Sequence, residues 1–326
     1  MSESMPFAGI ATFFKAPYVP FPTRSDGDVA VIGVPYDEGV TSRTGTREGP
    51  RALREISGNW AYRDGAEPYW DGEAGVSLLG DVRFVDTGDV NLIPTAPANV
   101  SHTRVADRVA AIMRGGLFPV VLGGDHSITY PVLLGVHRAR ADECLGSAAD
   151  AAVHLVHFDT HMDYWDGIGG QPYTHASPII RAHEAGLVGA ITQYGIRGLH
   201  TEADNIALAA SRGVISHWCE PVKARLAAGE RQQLLDSIAP GADVWITFDI
   251  DCLDPAIAPG TGTPEPGGFT YYEAKSLLLG VAERANVIGI DLVEVNPLYD
   301  PAKLAALHGC RLLFDAIGAV FRERRR

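Results

Sequence analysis

Cysteine is scarce in this chain. Its 326 residues hold four, Cys144, Cys219, Cys252 and Cys310, widely spaced and with no Cys-x-x-Cys pair. That argues against a disulfide framework or a zinc knuckle and makes a reducing cytoplasm the default. Basic residues are also short, 27 Lys and Arg against 40 Asp and Glu, a net charge of −13. Such a balance disfavours nucleic acid or an anionic membrane as partner. No apolar run approaches a membrane span, and no charged region leads into an apolar core near the N-terminus. Repeats and linker-like breaks are lacking too, which predicts one domain over residues 1–326. Residues 1–27, rich in Pro, Phe and Gly, read as an extended arm lying across the body or a neighbouring subunit.

What the chain has is alternation. Apolar runs at 29–34, 84–89, 118–122, 153–158, 190–195, 244–248 and 287–293 read as strands, with a short one at 214–215. Helical stretches fall between them, at about 51–57, 105–113, 128–139, 221–238, 270–284 and 302–322. Thr270, followed three residues later by Glu273, carries a capping-box pattern. Residues 60–82 read as an irregular surface excursion. Strands and helices alternating over the whole length imply an α/β fold, a mostly parallel sheet with helices on both faces.

Several of these strands end in acids or imidazoles. Residues 153–158 run into Asp159-Thr160-His161-Met162-Asp163, and 244–248 into Asp249-Ile250-Asp251. Residues 118–122 end in Gly123-Gly124-Asp125-His126 and 287–293 in Glu294. In an extended backbone, side chains two apart project to one side, so Asp159, His161 and Asp163 would converge. A single such array is also compatible with a solvated loop. Several at the carboxyl ends of parallel strands, the edge where such sheets bind ligands, point to a site. Four or five carboxylates around one ion would repel one another, whereas two divalent ions sharing carboxylates relieve this and activate a water between them. Hard oxygens with two imidazoles and no thiolate favour Mn(II), with Ni(II), Co(II) or Zn(II) possible.

The chain resembles the ureohydrolases, the group containing arginase, agmatinase and guanidinobutyrase. The resemblance lies in Gly123-Gly124-Asp125-His126-Ser127, in residues 157–163, in Thr247 to Pro255, in Ala258 to Glu265 and in Asp291 to Val295. Phe7 to Phe13 and Gly45 to Arg51 look most like the agmatinase branch. The resemblance implies a three-layer sandwich around a sheet of about eight strands. It also implies two divalent metal ions per chain, Mn(II) or alternatively Ni(II), and a homo-oligomer, trimer or hexamer. Position by position, it implies that Asp159 and Asp249 bridge both metals. His126 and Asp163 would complete one shell, His161 and Asp251 the other. Glu294 would grip a small cationic guanidino substrate, Asp163 would accept the attacking water's proton, and His175 would relay a proton to the departing amine. The products would be urea and an amine.

Asp125 reads as a partner orienting a ligand, and His154 and His157 as packed within their strand or likewise supporting. After Asp163 the chain reads Tyr164-Trp165-Asp166, an aromatic pair poorly suited to the α-carboxylate of arginine. Either the aromatics line the pocket or they pack the loop. Asp166 is positioned to pair with an ammonium such as agmatine presents, while a narrowed pocket would suit guanidine or a methylated guanidine instead. A non-catalytic subunit and a deacetylase-like hydrolase are the remaining readings; filled ligand positions argue against the first, the abundance of acids against the second.

Overall fold

The computed structural model describes residues 5, 7–61, 69–94, 96–143 and 152–325. Cys144, the start of the arm and part of the 60–82 excursion lie outside them.

Eight strands form one sheet, every neighbouring pair parallel. In chain order the strands are β1 (Val29–Gly33), the small antiparallel pair β2 (Trp70–Asp71) and β3 (Val76–Ser77), β4 (Phe84–Asp89), β5 (Phe118–Leu122), β6 (Val153–Phe158), β7 (Val188–Ile196), β8 (Ile215–Trp218), β9 (Asp243–Asp249) and β10 (Asn286–Val293). The sheet order is β4-β1-β5-β10-β9-β6-β7-β8. The helices are α1 (Gly49–Ser57), α2 (Ala98–Arg114), α3 (Thr129–Glu143), α4 (Pro178–Glu184), α5 (Ala203–Ser211), α6 (Cys219–Ala227), α7 (Arg231–Leu234), α8 (Tyr271–Arg284) and α9 (Leu304–Glu323).

Strand alternation sorts side chains into two cores. Val29, Val31, Val120, Leu122, Val156, Phe158, Ile246 and Phe248 pack with residues of α1, α6, α7, α8 and α9. Ala30, Ile32, Val121, Leu155 and Trp245 pack on the other side with residues of α2, α3, α4 and α5. The result is the expected three-layer α/β sandwich. Both faces are covered, so the strands read as continuous apolar runs.

The strand expectations hold to within two residues at most ends, and the capping box on α8 forms, Thr270 N donating to Glu273 Oε2 at 2.8 Å. Four points differ. The helix expected over 221–238 is two, α6 and α7, parted near Gly229, whose φ of +77° a helix cannot accommodate. Helices α4 and α5 were not anticipated, being short and weakly periodic. The excursion at 60–82 contains the β2–β3 pair. Among the described residues one helix, α9, is long and apolar enough to cross a membrane by length and composition, against the sequence reading; 78% of its apolar window is buried within the protein.

In the arm, Phe13 is fully buried against Phe84 and Phe314, whereas Phe7 and Ile10 are exposed. Tyr18 bridges in parallel to Asp86 of β4.

Closer to the carboxyl edge, the turn after β5 receives the loop after β1. Asp125 N donates to Tyr36 O at 2.8 Å. A β-carbon on Gly124 would lie 1.8 Å from that same carbonyl oxygen. Only glycine permits so close a backbone approach. Gly124→Ala is therefore expected to cost about 3 kcal/mol, because neither backbone has a flexible end to yield. A chemical-denaturation midpoint compared with wild type measures it.

Candidate metal centre

Because all eight strands of the sheet are parallel, their carboxyl ends share one edge, and the polar residues after β5, β6, β9 and β10 gather there. Asp159, Asp163, Asp249, Asp251, His126 and Glu294 are all buried. His126 Nδ1 lies 3.0 Å from Asp159 Oδ2, 2.9 Å from Asp163 Oδ2 and 3.2 Å from Asp249 Oδ2. His161 Nδ1 lies 3.4 Å from Asp159 Oδ1 and 3.3 Å from Asp251 Oδ2. Two compact donor groups result: His126, His157, Asp159 and Asp163 form one; Asp159, His161 and Asp251 form the other. Asp159 belongs to both. Asp249 falls outside these groups yet faces the same imidazole nitrogen.

The convergence is not the extended arrangement that the i, i+2, i+4 spacing predicts. Strand β6 ends at Phe158, and the chain bends through Thr160 and His161. Asp163 sits at a φ of +49° and Glu294 at +61°, left-handed conformations that non-glycine residues seldom adopt. Strain of this kind gathers at functional sites. Asp249 caps a short 3-10 turn over Ile250–Cys252, accepting from Asp251 N at 2.8 Å, and so turns Asp251 inward. Cys252 is buried, as the sequence indicates, with its thiol pushed up by burial and the nearby acids.

The donor chemistry fits divalent cations. A ring nitrogen carries at most one proton, so His126 Nδ1 cannot satisfy three facing carboxylate oxygens, and the atom has no hydrogen-bond partner. Burial, with the charges of Asp251 and Asp159, drives the Asp249 carboxyl well above its ordinary value; burial and Asp159 raise Asp251 too. Burial would also raise Asp159, but His157, His126 and His161 outweigh it and hold that carboxyl well below. Opposed shifts of this kind arise where acids are crowded beyond what the neighbouring imidazoles neutralise.

The other histidines and acids fall into supporting places. His157 has both ring nitrogens partnered, Nε2 by Asp159 Oδ2 at 2.8 Å and Nδ1 by Gln193 Nε2 at 2.9 Å, so it orients Asp159. His154 is turned to Thr192 at 3.0 Å. Asp125 accepts from Ser127 N at 2.9 Å and Gly39 N at 2.7 Å; burial and Glu294 push its carboxyl up to about 7. It holds the loop after β1 in place. Behind His126, its Nε2 meets Thr247 Oγ1 at 3.0 Å, and that hydroxyl donates to Asp291 Oδ1 at 2.6 Å. Asp291 also accepts from Trp245 Nε1 at 2.6 Å.

A cavity of about 510 Å³ opens onto this cluster. His126, His161, Asp163, Asp249, Glu294 and His175 line its floor, with Trp165, Ile168, Thr41, Ser42, His200 and Thr201 among the remaining wall. His175 Nδ1 is 3.4 Å from Glu294 Oε1. Burial alone would pull the His175 imidazole down; the hydrogen bond and charge of Glu294 outweigh it and hold it up at about 9. Glu294 Oε1 accepts from His126 N at 2.9 Å, whereas its Oε2 is buried without a partner. Of the segment after Asp163, Trp165 reaches the wall. Tyr164 is fully buried, its hydroxyl 2.7 Å from His183 Nδ1. Asp166 does not meet an ammonium in the pocket: its exposed carboxylate pairs with Arg181.

Sequence reasoning overlooked Arg197. Its guanidinium donates to the carbonyls of Asp251 and Glu265, both at 2.8 Å, and to those of Gly195, Cys252, Leu253 and Pro266. It ties the end of β7 to the loop after β9. No local pattern announces a cation whose partners are backbone oxygens. Thr41, Ser42, His200 and Thr201 were missed for the same reason, being loop residues without a spacing rule.

Buried imidazoles and carboxylates around one cavity at the edge of a parallel sheet define a metal-dependent hydrolase site. Comparison with known proteins agrees. The model of the arginase family matches residues 27–318. A guanidinopropionase of Pseudomonas aeruginosa is 35% identical over 321 residues, covering 95% of this chain and 92% of that protein. A mitochondrial agmatinase of Gallus gallus is 36% identical over 310 residues, 92% of this chain and 83% of that protein. Among solved structures, the proclavaminate amidino hydrolase of Streptomyces clavuligerus superposes with a TM-score of 0.84 at 30% identity, covering 98% of this chain and all of that one. The chain belongs to the arginase family, whose members are binuclear divalent-metal enzymes. It is a hydrolase of carbon–nitrogen bonds in linear amidines.

The hydroxyl between His126 and Asp291 supplies a test of the supporting layer. Thr247→Val keeps the shape and leaves three buried polar groups, His126 Nε2, Asp291 Oδ1 and Thr129 Oγ1, each short of one partner. Metal-free protein should lose about 1–3 kcal/mol of stability, read from urea denaturation in the presence of a chelator.

Proposed function

We propose that the chain releases urea and an amine from a non-arginine guanidino compound at a two-metal centre. In this reading Asp159 and Asp249 would serve both ions, His126 and Asp163 would complete the holding of one, and His161 and Asp251 that of the other. Mn(II) suits the oxygen-rich set best and Ni(II) is the alternative. Bound, the ions supply a nucleophilic water at neutral pH. The observation that carries the proposal is the sharing of Asp159 by two donor groups beside the unpartnered Glu294 Oε2.

The residues then divide the work. Glu294 holds the substrate guanidinium by charge-assisted hydrogen bonds, Oε2 being the oxygen left free for it. Asp163, on the cavity floor, takes the proton that the attacking water gives up. His175, beside Glu294 and held up at about 9, is charged at neutral pH and gives its proton to the departing nitrogen. The lining acids are all at this inner end; the outer wall offers Trp165, Ile168 and the hydroxyls of Ser42 and Thr201. With Asp166 engaged by Arg181, nothing described in the outer wall pairs with a primary ammonium. That disfavours agmatine, and the similarity to a guanidinopropionase supports a guanidino acid in its place. Trp165 supports a second reading, a small guanidine enclosed by the indole. We further propose a cytoplasmic homo-oligomer, trimeric or hexameric. Exposed Phe7, Ile10 and Leu199 and three buried, unpaired cysteines support this.

Two measurements test the reading. Metal analysis should find about two ions per chain in the wild type, about one in His161→Ala and none held firmly in Asp159→Ala. With Mn(II) or Ni(II) loaded, urea release should be fastest from guanidinopropionate, guanidinobutyrate, guanidine or methylguanidine, slower from agmatine and least from arginine. Urea from none of them under either metal would overturn the proposal.

A further inference from the structure

The loop after β1, residues 36–45, matches no phosphate cradle and contributes no side chain to the two donor groups, yet it is fastened to the site from several directions. Gly39 N donates to Asp125 Oδ2 at 2.7 Å, and His175 N donates to Gly39 O at 3.0 Å. At its far end Gly45 N donates to Asp37 Oδ2 at 2.8 Å, and Arg47 pairs with the same carboxylate. Between these anchors lies Thr41, whose Oγ1 is 2.9 Å from His175 Nε2. The other ring nitrogen, Nδ1, faces Glu294 Oε1. The His175 segment is steadied from behind, Tyr173 stacking on Tyr130 with ring centres 5.4 Å apart and His102 meeting its edge.

We propose that Thr41 is a positioning residue. Its hydroxyl accepts the Nε2 proton of His175 and so keeps the Nδ1 proton aimed at the nitrogen that leaves the guanidinium held by Glu294. This rests on the reading of His175 as proton donor. A charged imidazole has two N–H groups, and a buried one left without an acceptor costs about 1–3 kcal/mol. Without Thr41 the ring gains by rotating toward other acceptors, and Asp163 and Asp125 are the further acids that act on it. With Thr41 in place, the ring has one favoured setting in both protonation states. As the carbon–nitrogen bond breaks, its electron pair stays on nitrogen and takes the Nδ1 proton. The neutral ring keeps its Nε2 proton on Thr41, leaving Nδ1 bare toward the pocket. After the amine departs, the proton that Asp163 took from the attacking water passes through water in the emptied cavity to Nδ1, and both groups return to their starting states.

The test compares Thr41→Val, Thr41→Ser and His175→Asn in metal-loaded enzyme, with whichever compound of the panel above is turned over fastest. Thr41→Val should lower kcat about tenfold to hundredfold with KM within about threefold. Its solvent isotope effect on kcat should rise as proton transfer becomes limiting. Thr41→Ser should recover most of the rate. Unchanged kcat in Thr41→Val, in an enzyme that His175→Asn cripples, overturns the role of Thr41 alone. A Thr41→Ser variant as slow as Thr41→Val also overturns it, because the hydroxyl would then not be what matters. Full activity in His175→Asn instead overturns the underlying proton-donor reading and this inference with it.

Discussion

Three carboxylates turned toward one imidazole nitrogen set the terms for the rest of this molecule. Such a group is costly to bury: each acid loses hydration, and each repels the next. The fold accepts that cost in one place, the carboxyl edge of a parallel sheet, and supplies too few cations of its own to offset it. A site of that composition is complementary to small, highly charged ions. The left-handed backbones of Asp163 and Glu294 add local strain to the same edge. Stability given up there must come from elsewhere, and the two apolar cores that clothe the sheet are where it comes from.

Around the acids is a layer of residues whose only task is direction. His157, wedged between Gln193 and Asp159, sets one carboxylate oxygen of Asp159. The chain from His126 through Thr247 to Asp291 sets an imidazole. Arg197 spends its donors on carbonyls and so fixes the loop that carries Asp251. Asp125 performs a similar service for the loop after β1, because the bare Cα of Gly124 lets that loop descend onto the turn. Apart from the half-buried Arg197, these residues act through buried hydrogen bonds, which hold geometry better than they would at a wet surface.

Much of this was legible in the sequence because parallel strands buried on both faces are unbroken apolar runs, and because the chemistry stands where those runs stop. His126, Asp159, His161, Asp163, Asp249 and Asp251 are found together for that reason. The manner of their meeting was not legible. Period-2 logic applies only while the chain stays extended, and it ceases to be extended at Phe158. The break at Gly229 is visible only to a reader who knows its φ. Helix α4, which opens with Pro178, is too short to show a period. Tyr164, Trp165 and Asp166 illustrate the limit best: three neighbours that sequence treats alike go to the core, the pocket wall and a surface ion pair. Which goes where depends on His183 and Arg181, residues that share no pattern with them.

The place of β10 has a consequence for how a newly made chain matures. It lies between β5 and β9, yet both are synthesised before it. Until residues 286–293 leave the ribosome, the nascent protein holds two half-sheets with no shared neighbour. One bears His126; the other bears Asp159, Asp163, Asp249 and Asp251. The four acids thus share one half-sheet before β10 is made, and their imidazole partner His126 joins them only when the strand that links the halves is in place, bringing Glu294 with it.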